Sequence, residues 1–511
     1  MRRVRVVGPW TGAGDRRHGR RHPERRGRAR PDRAAAAVSA DDRLRRLEAE
    51  VARDIALTSY PTPEWVRSRS TPDRRVLDVL IIGAGQAGLA LAFALRRRAV
   101  TEVEVWDEAE EGREGPWVTY AKMRTLRTPK HLTGPDQGVP SLTPEAWYRA
   151  RYGDTAWEQL RFIPKEHWQE YLGWFRRVTA APVRNGVRAT GIRPDGDLME
   201  VRAVGPDGEI GRTWARRVIL ATGMAGNGRW SVPGIIAENL PEDRYDHTGA
   251  PLDTETLRGK RIGVLGGGAS AFDYAGEALE TGAHSVDLFY RRAEIPRVNP
   301  FRWMEFYAFG AHFPDLSDDD KWRFTARFQQ TNQPVPQYTW DRCARFAQFS
   351  WHVSSPWESV ALVDGEIEVR TPTGTFRFDH VIAGTGPSVE LEVRPELAEL
   401  APRIARWRDR YQAPDEWKDD ALAEYPYLGS GFEFLPRDPA DAWVSRVYDF
   451  TYGARLSMGL NGNMNSGLGA GARRLGDAVS RSLFVEDADA FFDSYRAYDT
   501  PELVEVGRPD A

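Results

Sequence analysis

Two stretches of the chain share one order of hydrophobic and polar positions. Residues 76–82 read VLDVLII, an apolar run typical of a buried parallel strand, and a glycine-rich segment and the helix-forming stretch LALAFALRRR follow at once. Residues 261–265 read RIGVL and precede a second glycine-rich segment and the stretch FDYAGEALETG. Another strand-like run closes each unit, VEVWD in the first and SVDLFY in the second. The pattern predicts two strand–turn–helix–strand units of the nucleotide-binding type.

The first glycine-rich turn has the spacing GxGxxG and includes Gln86. Gly83 permits the tight turn, Gly85 lets a pyrophosphate approach the backbone, and Gly88 lets the helix pack on the strand. The free N–H groups at the start of the helix favour the phosphates. Asp107 ends the next strand, where a carboxylate accepts hydrogen bonds from ribose hydroxyls. A dinucleotide site is therefore predicted here.

The second turn, GGGASA, belongs to a unit that ends in arginine where the first ends in an acid. A carboxylate at that position would repel a 2′-phosphate, whereas a guanidinium can pair with it through two hydrogen bonds. The second unit is therefore predicted to prefer NADPH to NADH. Its predicted cofactor contacts are Gly266, Gly268, Ala269, Ser270, Arg291 and Arg292.

Two further segments bracket the second unit. Residues 218–223 read VILATG and residues 381–386 read VIAGTG, so each is a strand that ends in a glycine turn, at Gly223 and at Gly386. We interpret them as the two crossovers of a domain inserted in another domain. The predicted fold class is α/β, with two Rossmann-like doubly wound domains. The predicted boundaries are 1–75 for a basic extension with a helix over 41–57, 76–230 and 386–511 for the outer domain with its C-terminal helix, and 231–385 for the inserted domain with an aromatic-rich insertion over 296–357.

Composition narrows the function. The chain has 511 residues and a net charge of −3, which gives no reason to expect a nucleic-acid partner. Its one cysteine, Cys343, excludes an intrachain disulfide or a redox CxxC pair and fits a cytoplasmic enzyme. The 12 arginines of residues 1–33 suggest a disordered basic tail, with nucleic-acid contact or organelle targeting as the alternatives. Glycines interrupt the longest apolar run, so no membrane segment is expected, and the nine histidines show no metal-binding spacing.

The glycine motifs carry a family resemblance. GAGQAG at 83–88, ATG at 221–223, GGGASA at 266–271 and the altered turn at 384–386 resemble those of the class B flavoprotein monooxygenases, over residues 76–485. The resemblance implies that the first unit binds FAD and the second NADPH, so that the NADPH domain is inserted in a discontinuous FAD domain. It also implies molecular oxygen as co-substrate and a C4a-hydroperoxyflavin that oxygenates a nucleophilic nitrogen. Trp117, in EGPW, corresponds to a family position near the flavin, and Asn461 and Asn463 to a C-terminal loop that reaches it.

The substrate is the least determined part. Residues 122–131 and 297–303 are basic, which favours a carboxylate or phosphate ligand, although the same bases would equally suit the phosphates of the cofactors. We expect N-hydroxylation of an amino acid or another anionic amine. The candidate catalytic residues in these two segments are Arg124, Lys130, His131 and Asn299.

Other functions remain open at this stage. The same scaffold performs S-oxygenation or Baeyer–Villiger oxygenation, but the Trp-Pro or Trp-Asp that closes the Baeyer–Villiger fingerprint is missing here. An NADPH-dependent flavoprotein reductase and a non-enzymatic redox sensor are the alternatives from other classes. A small-molecule substrate is expected, with neither a nucleic acid nor a membrane as partner, and the oligomeric state is left open.

Overall fold

The computed structural model describes residues 39–58, 64–131, 134–208, 210–460 and 464–503. The described residues from Ala40 onward form one compact unit. The strands are β1 (Val76–Ile82), β2 (Val103–Asp107), β3 (Val183–Asn185), β4 (Arg188–Asp195), β5 (Leu198–Val204), β6 (Ile210–Leu220), β7 (Gly228–Trp230), β8 (Tyr245–His247), β9 (Arg261–Leu265), β10 (Ser285–Phe289), β11 (Phe349–His352), β12 (Ser359–Val363), β13 (Glu366–Thr371), β14 (Gly374–Phe378), β15 (His380–Ala383), β16 (Pro387–Val389) and β17 (Val447–Asp449). The helices are α1 (Ala40–Thr58), α2 (Gln86–Arg96), α3 (Pro144–Tyr152), α4 (Asp154–Gln159), α5 (Lys165–Val178), α6 (Gly234–Ala237), α7 (Ala269–Thr281), α8 (Pro300–Met304), α9 (Tyr307–His312), α10 (Asp318–Thr331), α11 (Gln337–Ala344), α12 (Trp407–Arg410), α13 (Asp420–Ala423), α14 (Arg455–Met458), α15 (Asn465–Glu486) and α16 (Ala488–Arg496).

The larger sheet takes strands from two distant parts of the chain. Its order is β3-β2-β1-β6-β5-β4, and β17 also pairs with β6, outside this order. The strands β3, β2, β1, β6 and β17 run parallel, while β5 and β4 are antiparallel additions. Every residue of β1 is buried, which explains why all of them but Asp78 are apolar. Because β17 lies far along the chain, the domain built on this sheet is discontinuous.

Along the chain, all strands of the second sheet lie between β6 and β17 of the first sheet. It has the order β11-β10-β9-β15-β8, and all its strand pairs are parallel. The chain leaves the first sheet through β7 and returns through β16, and these two strands pair antiparallel. Between β11 and β15, the strands β12, β13 and β14 form a separate antiparallel meander. The predicted class of two Rossmann-like folds, one inserted in the other, is confirmed.

Local packing explains why the first fingerprint folds as it does. Gly83 has φ +108°, a region that favours glycine. At Gly88 a Cβ would overlap the carbonyl oxygen of Gly83, so that only glycine lets α2 begin this close to the turn. Helix α15 then packs along α2. These contacts fix the start of α2 at the carboxyl edge of the sheet.

The terminal segments add little to the site. Helix α1 (Ala40–Thr58) covers the helix expected over 41–57, whereas the arginine-rich residues 1–33 lie outside the described residues. Within the described part of the chain, no helix combines the length and the apolar character needed to cross a membrane.

Candidate active site

One cleft joins the two glycine-rich turns. It has a volume of about 1500 Å³ and extends along the carboxyl edges of both parallel sheets, where open α/β folds bind their ligands. The residues that line it include most of the predicted cofactor contacts: Gly83, Gly85, Gln86, Asp107, Trp117, Gly223, Gly266, Gly268, Ala269, Ser270, Arg291, Arg292 and Gly386. The structure therefore gathers into one space residues that are far apart in the sequence. Asn461 and Asn463 lie outside the described residues.

Asp107 organises the first turn. One carboxylate oxygen accepts from the backbone N–H of Ala84 at 2.7 Å, and the other accepts from Ala109 at 2.8 Å. Burial raises the pKa of Asp107 above its ordinary value, and the two backbone donors oppose that shift. Each oxygen keeps a further lone pair for a ribose hydroxyl. Asp107 thus holds the first glycine-rich turn through Ala84.

Two glycines of the cleft are not required by the protein fold. Gly85 has φ −65° and ψ −170°, and a Cβ there would meet nothing nearer than the Cα of Gly115 at 3.9 Å. Gly268 has φ −76° and ψ 161°, and a Cβ there would meet nothing within 4 Å. Any residue can adopt these backbone angles. The open space beside the first turns of α2 and α7 fits the close approach of a pyrophosphate, so the residues present fit FAD at the first turn and NADPH at the second.

The two arginines after β10 have different surroundings. Arg292 donates to the backbone oxygens of Gln330 at 2.7 Å and Gln329 at 3.0 Å, at the end of α10. Arg291 is exposed and lines the cleft, and among the described residues it has no hydrogen-bond or ion-pair partner. Arg291 is therefore the guanidinium that remains available for a 2′-phosphate.

Other predicted cofactor residues form the wall of the cleft. Gln86 accepts from the indole N–H of Trp168 at 3.2 Å. The indole N–H of Trp117 is buried and has no hydrogen-bond partner among the described residues, while its backbone oxygen accepts from Lys165 at 2.8 Å. Gly223 and Gly386 both have φ +79°, at the turns that follow β6 and β15.

The four catalytic candidates do not line the cleft. Arg124 is exposed and pairs with Glu280 of α7 at 2.7 Å. Lys130 donates to the backbone oxygen of Trp157 at 2.5 Å and lies over that indole ring. His131 is exposed. Asn299 accepts from the backbone N–H of Phe301 at 3.1 Å and so caps α8. These contacts stabilise the fold, and a catalytic role for these four residues stays a prediction.

The aromatic residues over 303–313 of the insertion do not line the cleft, whereas Trp357 at the end of the insertion does. Trp303 and Tyr307 are 60% and 80% exposed. Phe309 and Phe313 are buried in a cluster with Leu460 instead. The cleft has an aromatic wall of which the sequence indicated only Trp117. It consists of Trp106, Trp117, Tyr120, Trp230, Tyr274, Phe289, Tyr290 and Trp357.

His247 is buried behind this wall. It is 4% exposed and stacks on Trp230, with the ring centroids 5.2 Å apart. Its Nδ1 accepts from the backbone N–H of Gly249 at 2.9 Å, so the proton of the neutral ring is on Nε2. Burial lowers the pKa of His247 to about 4. His247 is therefore neutral at physiological pH and supports Trp230.

This burial predicts a pH-dependent stability. The unfolded chain binds a proton at His247 below about pH 6.5, whereas the folded chain does so only below about pH 4. The free energy of unfolding should therefore fall between these values by on the order of 2–3 kcal/mol, and above pH 6.5 this contribution is fully present. Urea unfolding at pH 7.5 and pH 5 measures it. His247→Gln should flatten the difference, and His284→Gln, at an exposed position, should not. An unchanged pH dependence in His247→Gln would contradict the assignment.

A metal centre finds no support in the described ranges, where no group of three or more His, Cys, Asp or Glu side chains could hold an ion. Cys343 is buried, and burial raises its pKa to about 12, so its thiol is unreactive.

Known proteins are similar to this chain in sequence and in structure. The family model of the pyridine nucleotide-disulphide oxidoreductases matches residues 77–307. An FAD-dependent urate hydroxylase from Xanthomonas campestris pv. campestris is 44% identical over 465 residues, which are 90% of this chain and 97% of that protein. Among solved structures, ornithine hydroxylase from Pseudomonas aeruginosa has a TM-score of 0.63 at 17% identity and covers 80% of this chain and 100% of its own. L-lysine 6-monooxygenase from Pseudomonas syringae has a TM-score of 0.60 at 18% identity and covers 80% of this chain and 99% of its own.

Proposed function

The chain belongs to the family of the FAD-dependent urate hydroxylase, and we propose that it hydroxylates urate or a purine anion of the same shape. The observation that carries the proposal is 44% identity across 97% of that relative. The predicted class is confirmed: the chain is a class B flavoprotein monooxygenase. Its cofactors are FAD and NADPH.

The shape and polarity of the cleft support a flat anionic substrate. Its aromatic wall offers ring faces against which a planar heterocycle can stack. Lys122 and Arg127 also line the cleft, so positive charge lies beside these rings. Urate is planar, anionic and rich in hydrogen-bond acceptors, which suits a guanidinium better than an ammonium.

Different residues of the cleft would bind the two nucleotides. Gly85 and Asp107 would hold the pyrophosphate and ribose of FAD, and Gly268 and Arg291 those of NADPH. FAD, when bound, supplies hydride acceptance and oxygen activation. The protein binds the partners side by side, orients them and excludes water from the cleft.

The proposed reaction balances without another reactant. Urate, O₂, NADPH and a proton give hydroxylated urate, water and NADP⁺. NADPH supplies two electrons, one oxygen atom enters a new bond to the substrate, and the other leaves as water. Among the described residues Cys343 has no disulfide partner, and it is the chain's one cysteine, so the chemistry of disulfide reductases has no basis here.

N-hydroxylation of an amino acid stays a prediction. The ornithine and lysine hydroxylases share the fold, but at 17% and 18% identity they support nothing finer. The basic residues that suggested an amino-acid ligand, Arg124 and Lys130, pair with other parts of the protein.

The test compares substrates on the purified FAD-loaded enzyme. NADPH oxidation is followed with urate, xanthine, L-ornithine and L-lysine, and products are identified by mass. We expect urate alone to accelerate NADPH oxidation and to yield a product heavier by one oxygen atom. Xanthine is the matched control, because it is a purine that lacks one carbonyl oxygen of urate. Hydroxylated ornithine or lysine, with no product from urate, would reject the purine proposal in favour of N-hydroxylation.

A further inference from the structure

Arg127 lies in the basic segment over 122–131, where this segment contacts α7. Its side chain lines the cleft and is 24% exposed. Asp273, on the second turn of α7, lines the same cleft and is 2% exposed. Arg127 donates to the carboxylate of Asp273 through Nη2. The pair therefore joins the two halves of the cleft at a position that a ligand can reach.

The surroundings hold Arg127 in place from two sides. Thr339 donates to the other oxygen of Asp273 at 3.2 Å, and Arg342 donates to the backbone oxygen of Asp273 at 3.3 Å. Arg302 donates to the backbone oxygen of Arg127 at 2.7 Å. Since both the backbone and the anchoring carboxylate are fixed, the guanidinium has a defined orientation.

Most donors of this guanidinium have no hydrogen-bond partner among the described residues. The Nε–H of Arg127 is buried, yet it has no hydrogen-bond partner among the described residues. The protein closes Nε off from the cleft, so a ligand there would meet the two donors of Nη1 and the remaining donor of Nη2. Asp273 occupies Nη2 only, and a guanidinium has five N–H donors in one plane. The remaining donors match two neighbouring acceptors of a flat anion.

We propose that Arg127 is the substrate-binding residue that recognises the anionic purine, held in its orientation by Asp273. This inference rests on the proposed function. Lys122 is less suited to the role, because its ammonium already donates to the backbone oxygen of Leu252 at 3.1 Å. Arg127→Gln removes the charge and the planar fork at once.

The test measures KM for urate and for NADPH in the FAD-loaded enzyme. We expect Arg127→Gln to raise KM for urate at least about tenfold and to leave KM for NADPH within about twofold. Guanidinium added to Arg127→Ala should restore part of the urate turnover. Arg345→Gln is the matched control, because Arg345 also pairs with α7, through Glu280 at 2.5 Å, but does not line the cleft. It should behave like the wild type.

The possible results distinguish a failure of the proposed function from a failure of the inference about Arg127. A wild-type enzyme that does not hydroxylate urate would reject the proposed function and this inference with it. An active wild type whose KM for urate is unchanged in Arg127→Gln, or raised equally in Arg345→Gln, would overturn the inference alone. A rise confined to KM for NADPH would also overturn it. If Arg127→Gln loses FAD, Arg127→Lys decides: a raised KM for urate supports the inference, and a wild-type value overturns it.

Discussion

Replacing Gly85 by alanine is expected to lower the affinity for FAD at least about tenfold while the apoprotein keeps its fold. The backbone at Gly85 suits any residue, and the nearest atom to an added Cβ is 3.9 Å away. The methyl group would instead occupy the space where the pyrophosphate approaches α2. FAD titration of the apoprotein measures the loss, and thermal unfolding of the same apoprotein checks the fold.

Two further variants make this prediction specific. Gly268→Ala, at the matching position of α7, should raise KM for NADPH by a similar factor and leave the FAD content unchanged. Gly88→Ala should lower the stability of the apoprotein itself, because its Cβ would overlap the carbonyl oxygen of Gly83. Normal FAD affinity in Gly85→Ala would contradict the placement of FAD at the first turn.

Arg291→Gln should remove most of the preference for NADPH over NADH. Arg291 is the exposed guanidinium after β10, whereas Arg292 is occupied by the carbonyl groups at the end of α10. A charge-assisted pair with a phosphate is worth about 1.5–3 kcal/mol, so the ratio of kcat/KM for the two coenzymes should fall roughly 10- to 100-fold. Steady-state kinetics with each coenzyme measures that ratio.

The controls separate recognition from stability. Arg297→Gln, at an exposed position outside the cleft lining, should leave the ratio unchanged. Arg292→Gln should chiefly lower the melting temperature, since it removes two hydrogen bonds from the end of α10. If Arg292→Gln rather than Arg291→Gln lost the preference, the division of roles between the two arginines would be wrong.

Local signals were sufficient to predict the fold. Strands β1, β2 and β9 have the predicted bounds, because a buried parallel strand needs a continuous apolar run and a glycine turn ends it. The two crossover turns at Gly223 and Gly386 placed the insertion for the same reason. Most predicted cofactor residues line the cleft, because glycine turns at fixed offsets place them at the carboxyl edges of the two parallel sheets.

Side-chain direction was not predictable from the same pattern. Arg124 and Arg127 are three residues apart in one basic segment, but only Arg127 lines the cleft, because α7 presents Glu280 to one and Asp273 to the other. That choice depends on a helix far along the chain. The role of Asn299 had a local signal, since Asn before Pro300 is typical of a helix N-cap followed by proline at the first helical position.

We propose that two nucleotides in one cleft drive the transfer of one oxygen atom to a purine anion. The most direct test is turnover of urate by the FAD-loaded enzyme with NADPH under ¹⁸O₂. One ¹⁸O atom in each product molecule and one NADPH consumed for each product are the predicted results. NADPH consumption that yields only hydrogen peroxide, with no label in any organic product whether or not urate is present, would contradict the account.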